Sequence, residues 1–353
     1  MLGSFGKIIA ALGAPLVLAS ACFLTPAPHD AAANPKKVTR QAPYIGRCMN
    51  MAGALEADRE GDWGYVIRDK DLRLIANAGF GAIRLPVKFS AHALQKAPYT
   101  ISPALFARVD HIIKTANASG LQVILDMHHY DALFEDPDRE EARFYGMWAQ
   151  IAQRYQDYSD QNLMFELINE PRDKFSGDRM SAAQNKALSI VRKTNPTRTV
   201  ILSGDRWGNF EGIDSLKLPP DPHIMVSVHY YNPFSFTHQG ASWVPKAPPI
   251  GPEWGRPQEI REVVAYAEKM AKWQDDNKAP IFLGEFGAIN YAGDPDRAVW
   301  TAAVRAALES VAIPWCSFDF ATTFSVYDQR RQNWRPLMLN ALIPSNGPPE
   351  TGE

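Results

Sequence analysis

The stretch "LMFELINEP", Leu163 to Pro171, decides how this chain is read. Leu163, Phe165, Leu167 and Ile168 form an apolar run able to bury both faces of a strand. Such a run should continue, or stop in a turn of Gly, Asn and Asp. Here it delivers an amide and a carboxylate, Asn169 and Glu170, immediately before a proline. An ionised Glu at the edge of a core costs free energy unless it has partners or a task. The rest of the chain has to supply one or the other.

Comparable runs, bounded by turn residues, recur near 44–51, 81–87, 121–128, 162–169, 198–203, 223–230, 280–284 and 313–320. Amphipathic helical stretches lie between most of them. In "PALFARVDHIIKTANASG", Leu105, Val109, Ile112 and Ala116 share one face, and Gly120 stands where a helix ends. "EEARFYGMWAQIAQRYQD" and "RAVWTAAVRAALES" read the same way. Strand then helix, repeated eight times, predicts one α/β domain, a single (β/α)8 TIM barrel spanning 44–344; a doubly wound open sheet is the alternative. The stretch 232–256, with its Pro, Gly and Trp, reads as one long loop.

The ends of the chain read differently. "MLGSFGKIIAALGAPLVLASAC" carries a Lys, an apolar run and then small residues, the layout of a secretory signal peptide, here assigned to 1–33. The run is too short for a membrane span. Cys22 after small residues also permits a lipid anchor. Residues 34–43 read as a linker and 345–353 as a C-terminal tail, so a secreted or periplasmic protein is expected. The remaining two cysteines, Cys48 and Cys316, lie in apolar strand-like runs and are expected as buried free thiols. Across 353 residues the formal net charge is only −2, which gives no reason to expect nucleic acid or an anionic membrane as partner. Nothing in the pattern calls for an oligomer, and a monomer is expected. Nine tryptophans within an 11% aromatic share are mostly core filler, but the same side chains make platforms for sugar rings.

In a (β/α)8 barrel, chemistry collects at the C-terminal ends of the strands. Those ends supply Arg84 in "AIRLP", His128, His129 and Tyr130 in "VILDMHHY", and Asn169 and Glu170 in "LINEP". They continue with His229 and Tyr231 in "MVSVHYY", Glu285 in "IFLGEFG", and Trp315, Phe318 and Asp319 in "IPWCSFDF". Taken singly, each has a bland reading: a capping Glu, a hydrogen-bonded structural His, an Arg clamping a loop. Two glutamates 115 positions apart would meet if both point inward. Acetal hydrolysis needs such a pair, one carboxyl to protonate the leaving oxygen and one to attack or to activate water.

The ordered set "RLP", "DMHH", "FELINEP", "HYY" and "FLGEFG" resembles glycoside hydrolase family 5, the cellulase family of the (β/α)8 clan. The likeness includes "ALEADREGDWG", "NPFSFTHQGASW" and "FSVYD…WRPLMLNAL", and these loops resemble the branch of endoglucanases that also accept mannan. The resemblance implies a retaining endo-β-1,4-glucanase whose partner is a β-linked polysaccharide or oligosaccharide. It implies Glu170 as acid/base and Glu285 as nucleophile, with Arg84, Asn169, His229 and Tyr231 in support. Substrate contacts would come from Asn50, Glu56, His128, His129 and Phe318. It implies no cofactor and no metal.

Two departures stand out. In "CMNMAGALE", Gly53 occupies a place where the family commonly has a sugar-contacting Asn. On the last strand, Phe318 falls where the family's Trp platform stands, and Trp315, at odd spacing, must face the other way. Trp243 and Trp207 are further candidates to extend the cleft. β-Mannanase and mixed-linkage β-glucanase share the mechanism and remain open. A metal-dependent hydrolase using Asp126, His128, His129, His229 and Glu285 is disfavoured because the first strand carries no His, and a non-catalytic sugar-binding barrel because both glutamates are present.

Overall fold

The computed structural model describes Arg40 and residues 43–344. The expected signal peptide, Cys22, nearly all of the linker and the C-terminal tail lie outside the described residues. Eight parallel strands close into a barrel in sequence order: β1 (Cys48–Asn50), β2 (Ala82–Val87), β3 (Gln122–Met127), β4 (Leu163–Glu166), β5 (Val200–Ser203), β6 (Ile224–Tyr230), β7 (Ile281–Phe286) and β8 (Trp315–Ser317). The helices are α1 (Asp69–Asn77), α2 (Pro103–Ala118), α3 (Asp131–Glu135), α4 (Pro137–Arg154), α5 (Gly177–Val191), α6 (Phe234–Thr237), α7 (Pro257–Asn277), α8 (Asp294–Ser310) and α9 (Pro336–Leu342). α2 starts at a proline, and Gly120 follows its end at φ +83°. Among the described residues, no helix is long and apolar enough to cross a membrane.

One crossover departs from the expected repeat. Between β5 and β6 there is only a 3-10 turn, Phe210–Ser215. Gly204, Gly208 and Gly212, followed by Pro219 and Pro220, deprive this segment of helix formers. Gly212 packs so closely on Asp205 that a Cβ there would lie 2.0 Å from its carbonyl oxygen.

Strand alternation sorts the side chains into a barrel interior and a jacket between strands and helices. The jacket takes Ile83, Leu85, Val123, Leu125, Phe165, Val226, Leu283 and Trp315, packed with the helices' apolar faces. Inside, each strand contributes to one dry floor: Cys48, Ala82, Ile124, Met164, Ile201, Met225, Phe282 and Cys316. Two residues further along six of the strands, β1 to β6, the inward set turns polar, with Asn50, Arg84, Asp126, Glu166, Ser203 and Ser227 all buried. The floor excludes water from below, and the polar layer is the base of the site.

The floor also overturns the free-thiol expectation. Cys48 and Cys316 form a disulfide. They are 268 positions apart, but barrel closure makes β1 and β8 neighbours and their register sets the two cysteines directly opposite. The bond therefore closes a loop spanning almost the whole domain. By loop-closure entropy, reduction should cost about 3–5 kcal/mol of stability. Denaturant titration of the oxidised and the reduced protein checks this; coincident curves would show that the bond contributes nothing.

Candidate active site

Arg84 rises from β2 into the barrel and is fully buried. Its Nε donates to Glu166 Oε2 at 2.7 Å and its Nη2 to Glu166 Oε1 at 3.1 Å. Nη1 reaches Glu285 Oε1 at 2.7 Å and Asn50 Oδ1 at 3.0 Å. Nη2 also donates to Asn169 Oδ1 at 2.7 Å and lies 3.1 Å from Asp126 Oδ2. Burial alone would lower the guanidinium's proton affinity, but Asp126, Glu166 and Glu285 raise it well above the ordinary value.

Glu285 depends on a local irregularity for its aim. From Val228 to His229, β6 advances one residue while β7 advances two, from Leu283 to Glu285. Gly284 is the extra residue of this bulge, which turns Glu285 inward next to the inward-facing Phe282. Tyr231 donates its hydroxyl to Glu285 Oε2 at 2.8 Å, and His229 Nδ1 lies 3.6 Å from the same oxygen. Burial pushes the Glu285 carboxyl up, but His229 and Arg84 together outweigh it and hold the group below its ordinary range. The group is an anion at neutral pH.

β4 ends at Glu166, and the chain continues with Leu167 N bonded to Ile201 O and Asn169 N to Met127 O. Glu170 then adopts a left-handed backbone, φ +45°, uncommon for a side-chain-bearing residue. Its Oε1 lies 2.8 Å from His229 Nδ1. Glu170, His229 and Glu285 each present an atom within 4.8 Å of the others. Burial lowers the proton affinity of His229, yet Glu285 and Glu170 more than reverse this and raise it. The imidazole thus stands between the carboxyl groups of Glu170 and Glu285, which favour its charged form.

On the opposite flank, His128 Nδ1 bonds Asp126 Oδ2 at 2.6 Å, and its Nε2 faces Asn169 Nδ2 at 3.3 Å and Glu56 Oε2 at 3.6 Å. Burial and the Arg84 charge keep His128 neutral, and burial brings His129 down to about 3. Glu56 Oε1 accepts from Gly53 N at 2.8 Å, while its Oε2 is buried without a partner. Burial pushes the Glu56 carboxyl up to about 8. Two clusters here have the donor set for a cation, Glu56 with His128 and His129, and Glu170 with His229 and Glu285.

The structure thus brings Arg84, Asn169, Glu170, His229, Tyr231, Glu285, His128, His129 and Glu56 to one rim. Asn50 is a correction. It is fully buried, its Nδ2 donates to Gly284 O at 2.9 Å, and its Oδ1 is taken by Arg84, so it braces the bulge instead of meeting substrate. Phe318 is half-buried and packs edge-on to Tyr231 at 6.4 Å and to Phe324 at 5.6 Å, whereas Trp315 faces the jacket. Trp243 is 52% exposed and connects through His238 and Phe324 to Tyr231. Trp207 is 55% exposed, its backbone N–H donating to Pro171 O just beyond Glu170. Sequence reasoning missed Glu166 as a site member and considered Asp126 only as a metal ligand. The available signal was a charged residue at an inward strand position, level with Arg84.

Gly53 has a steric reason. Its φ is +76°, and a Cβ would sit 2.3 Å from Thr322 Cγ2. Thr322 cannot withdraw readily: its N–H and hydroxyl both donate to the buried Asp319 carboxylate. The space an Asn would need at 53 is filled by a methyl group.

A family model described as cellulase (glycosyl hydrolase family 5) matches residues 47–322. Endoglucanase H of Acetivibrio thermocellus is 30% identical over 324 residues, covering 90% of this chain and 34% of its own length. Endoglucanase 3 of Fibrobacter succinogenes is 22% identical, covering 81% of this chain and 51% of its own. The chain therefore spans between a third and a half of these relatives. Structures of Thermotoga maritima Cel5A in complex with cellobiose and with mannotriose superpose with TM-scores of 0.83 and 0.83. They are 38% and 37% identical, each covering 85% of this chain and 97% of the other.

The unfolded chain releases the Glu56 proton near the ordinary 4.5, the folded chain near about 8, so stability conferred by this group is lost as pH rises across that window. Melting temperatures of Glu56→Gln should therefore gain on wild type between pH 5 and 8; parallel profiles would contradict this. Gly53→Ala should destabilise by about 1–3 kcal/mol. Adding Thr322→Ser, which removes only the methyl, should recover part of that loss in a denaturation cycle.

Proposed function

The chain belongs to glycosyl hydrolase family 5, the cellulase family, and on that footing we propose that it is a retaining endo-β-1,4-glucanase. The observation that carries this reading is the approach of Glu170 and Glu285 to within 4.8 Å. Carboxyls roughly 5 Å apart leave no room for an intervening water and suit retention through a glycosyl-enzyme. Glu285, held ionised by Arg84 and His229 and oriented by Tyr231, attacks the anomeric carbon as the bond to the leaving oxygen breaks. Glu170 gives its proton to that oxygen. Water then enters, Glu170 removes its proton, and the ester to Glu285 breaks with a second inversion. Asn169, fixed by Arg84, would hydrogen-bond the sugar 2-hydroxyl, with Glu56, His128 and His129 on the same side. Trp243 and Phe318 would flank the sugar from the Tyr231 side.

β-Mannanase activity is the second reading. A relative with the same fold is described with both cellobiose and mannotriose. Glucan and mannan differ at the 2-hydroxyl, where the small Gly53 leaves Asn169 and His128 as the discriminating groups. The catalytic domain is assigned to 44–344, with residues 1–33 directing export to the periplasm or exterior. Support for export comes from the apolar leader and from the paired cysteines, which suit an oxidising compartment.

Glu285→Ala and Glu170→Ala should each lower turnover on carboxymethylcellulose by about three or more orders of magnitude with the fold retained. Azide should rescue Glu285→Ala and give the inverted glycosyl azide; full activity in either variant would remove the assignment. EDTA should leave hydrolysis unchanged, and a metal requirement would instead implicate one of the carboxylate–histidine clusters.

A further inference from the structure

Trp63 belongs to none of the groups placed at the reaction centre, yet it is 52% exposed and linked to it. Its ring meets that of His129 at 5.6 Å, edge to face, and His129 meets His128 at 4.4 Å. His129 itself is held at φ +48°. The three rings step outward from Asn169 and Glu56 to the surface. Trp63 meets His129 in an edge-type contact and is 52% exposed, which leaves indole surface for another partner.

A single exposed tryptophan is unremarkable on a flexible loop. This loop is held from several directions. Glu60 accepts from Ile67 N at 3.0 Å and takes a two-pronged contact from Arg108 of α2 at 2.7 and 2.8 Å. Arg108 also donates to Ile67 O at 2.5 Å. Lys88 bonds Leu55 O through its N–H and Asp58 through its ammonium. Turns at Asp62 and Gly64, the latter with φ +80°, complete the arch. Fixing a large apolar side chain in water has no folding benefit of its own, but it removes the ordering cost from a binding event.

We propose that Trp63 is the platform of an outer sugar subsite, stacking a pyranose of the bound chain at least one ring beyond the sugar that spans the two glutamates. It would set the length of oligosaccharide the enzyme prefers, with Glu60 and Arg108 as positioning residues. This rests on the glucanase reading, and the test separates the two.

Wild type, Trp63→Ala, Trp63→Phe and Glu60→Gln are compared on cellotriose through cellohexaose, with circular dichroism melts as the control for folding. For Trp63→Ala, kcat/KM should fall about tenfold on the longest substrates, through KM, and stay near wild type on the shortest one cleaved. Trp63→Phe should retain most of the preference for long chains. Glu60→Gln should show a smaller loss with the same length dependence. An equal loss at every length, a loss in kcat alone, or no loss overturns the platform while leaving the glucanase reading intact. A wild type that cleaves none of these substrates overturns both.

Discussion

The site is organised around one buried cation. Arg84 is removed from water and surrounded by Glu166, Asp126 and Glu285, with Asn50 and Asn169 taking further donors. Burying a guanidinium costs several kcal/mol unless every donor is used, and burying its carboxylates costs as much again. The arrangement is tolerable only with all partners present. That interdependence fixes the position of each: β1, β2, β3, β4 and β7 are tied through one side chain. Glu285 is thereby held as an anion in a dry place where an isolated carboxyl would take up a proton.

The dryness comes from the layer beneath. Eight apolar or sulfur-bearing side chains, one per strand, seal the barrel two residues below the polar set. Seen this way, Glu170 and Glu285 are the upper end of a short gradient from disulfide to salt bridge to open cleft. His229 finishes it, placing an imidazole between the pair without adding a third anion.

Much of this was legible in the sequence because strand ends carry their chemistry locally. "LINEP" and "GEFG" announce carboxyls at a rim, and helix periodicity places the strands between them. What was hidden depends on register and closure. Cys48 and Cys316 look like unrelated core thiols until β1 and β8 meet. Asn50 looks like a sugar ligand until Gly284's bulge brings a carbonyl to its amide. Gly53 looks like a lost contact until Thr322, far along the chain and anchored by Asp319, is seen to occupy its space. Each miss concerns a pair distant in sequence, where periodicity carries no information.

The covalent seam between β1 and β8 also determines how the domain bears tension. A pull applied between the segment preceding Cys48 and the segment following Cys316 is carried by the sulfur bridge, and the strands between them are bypassed.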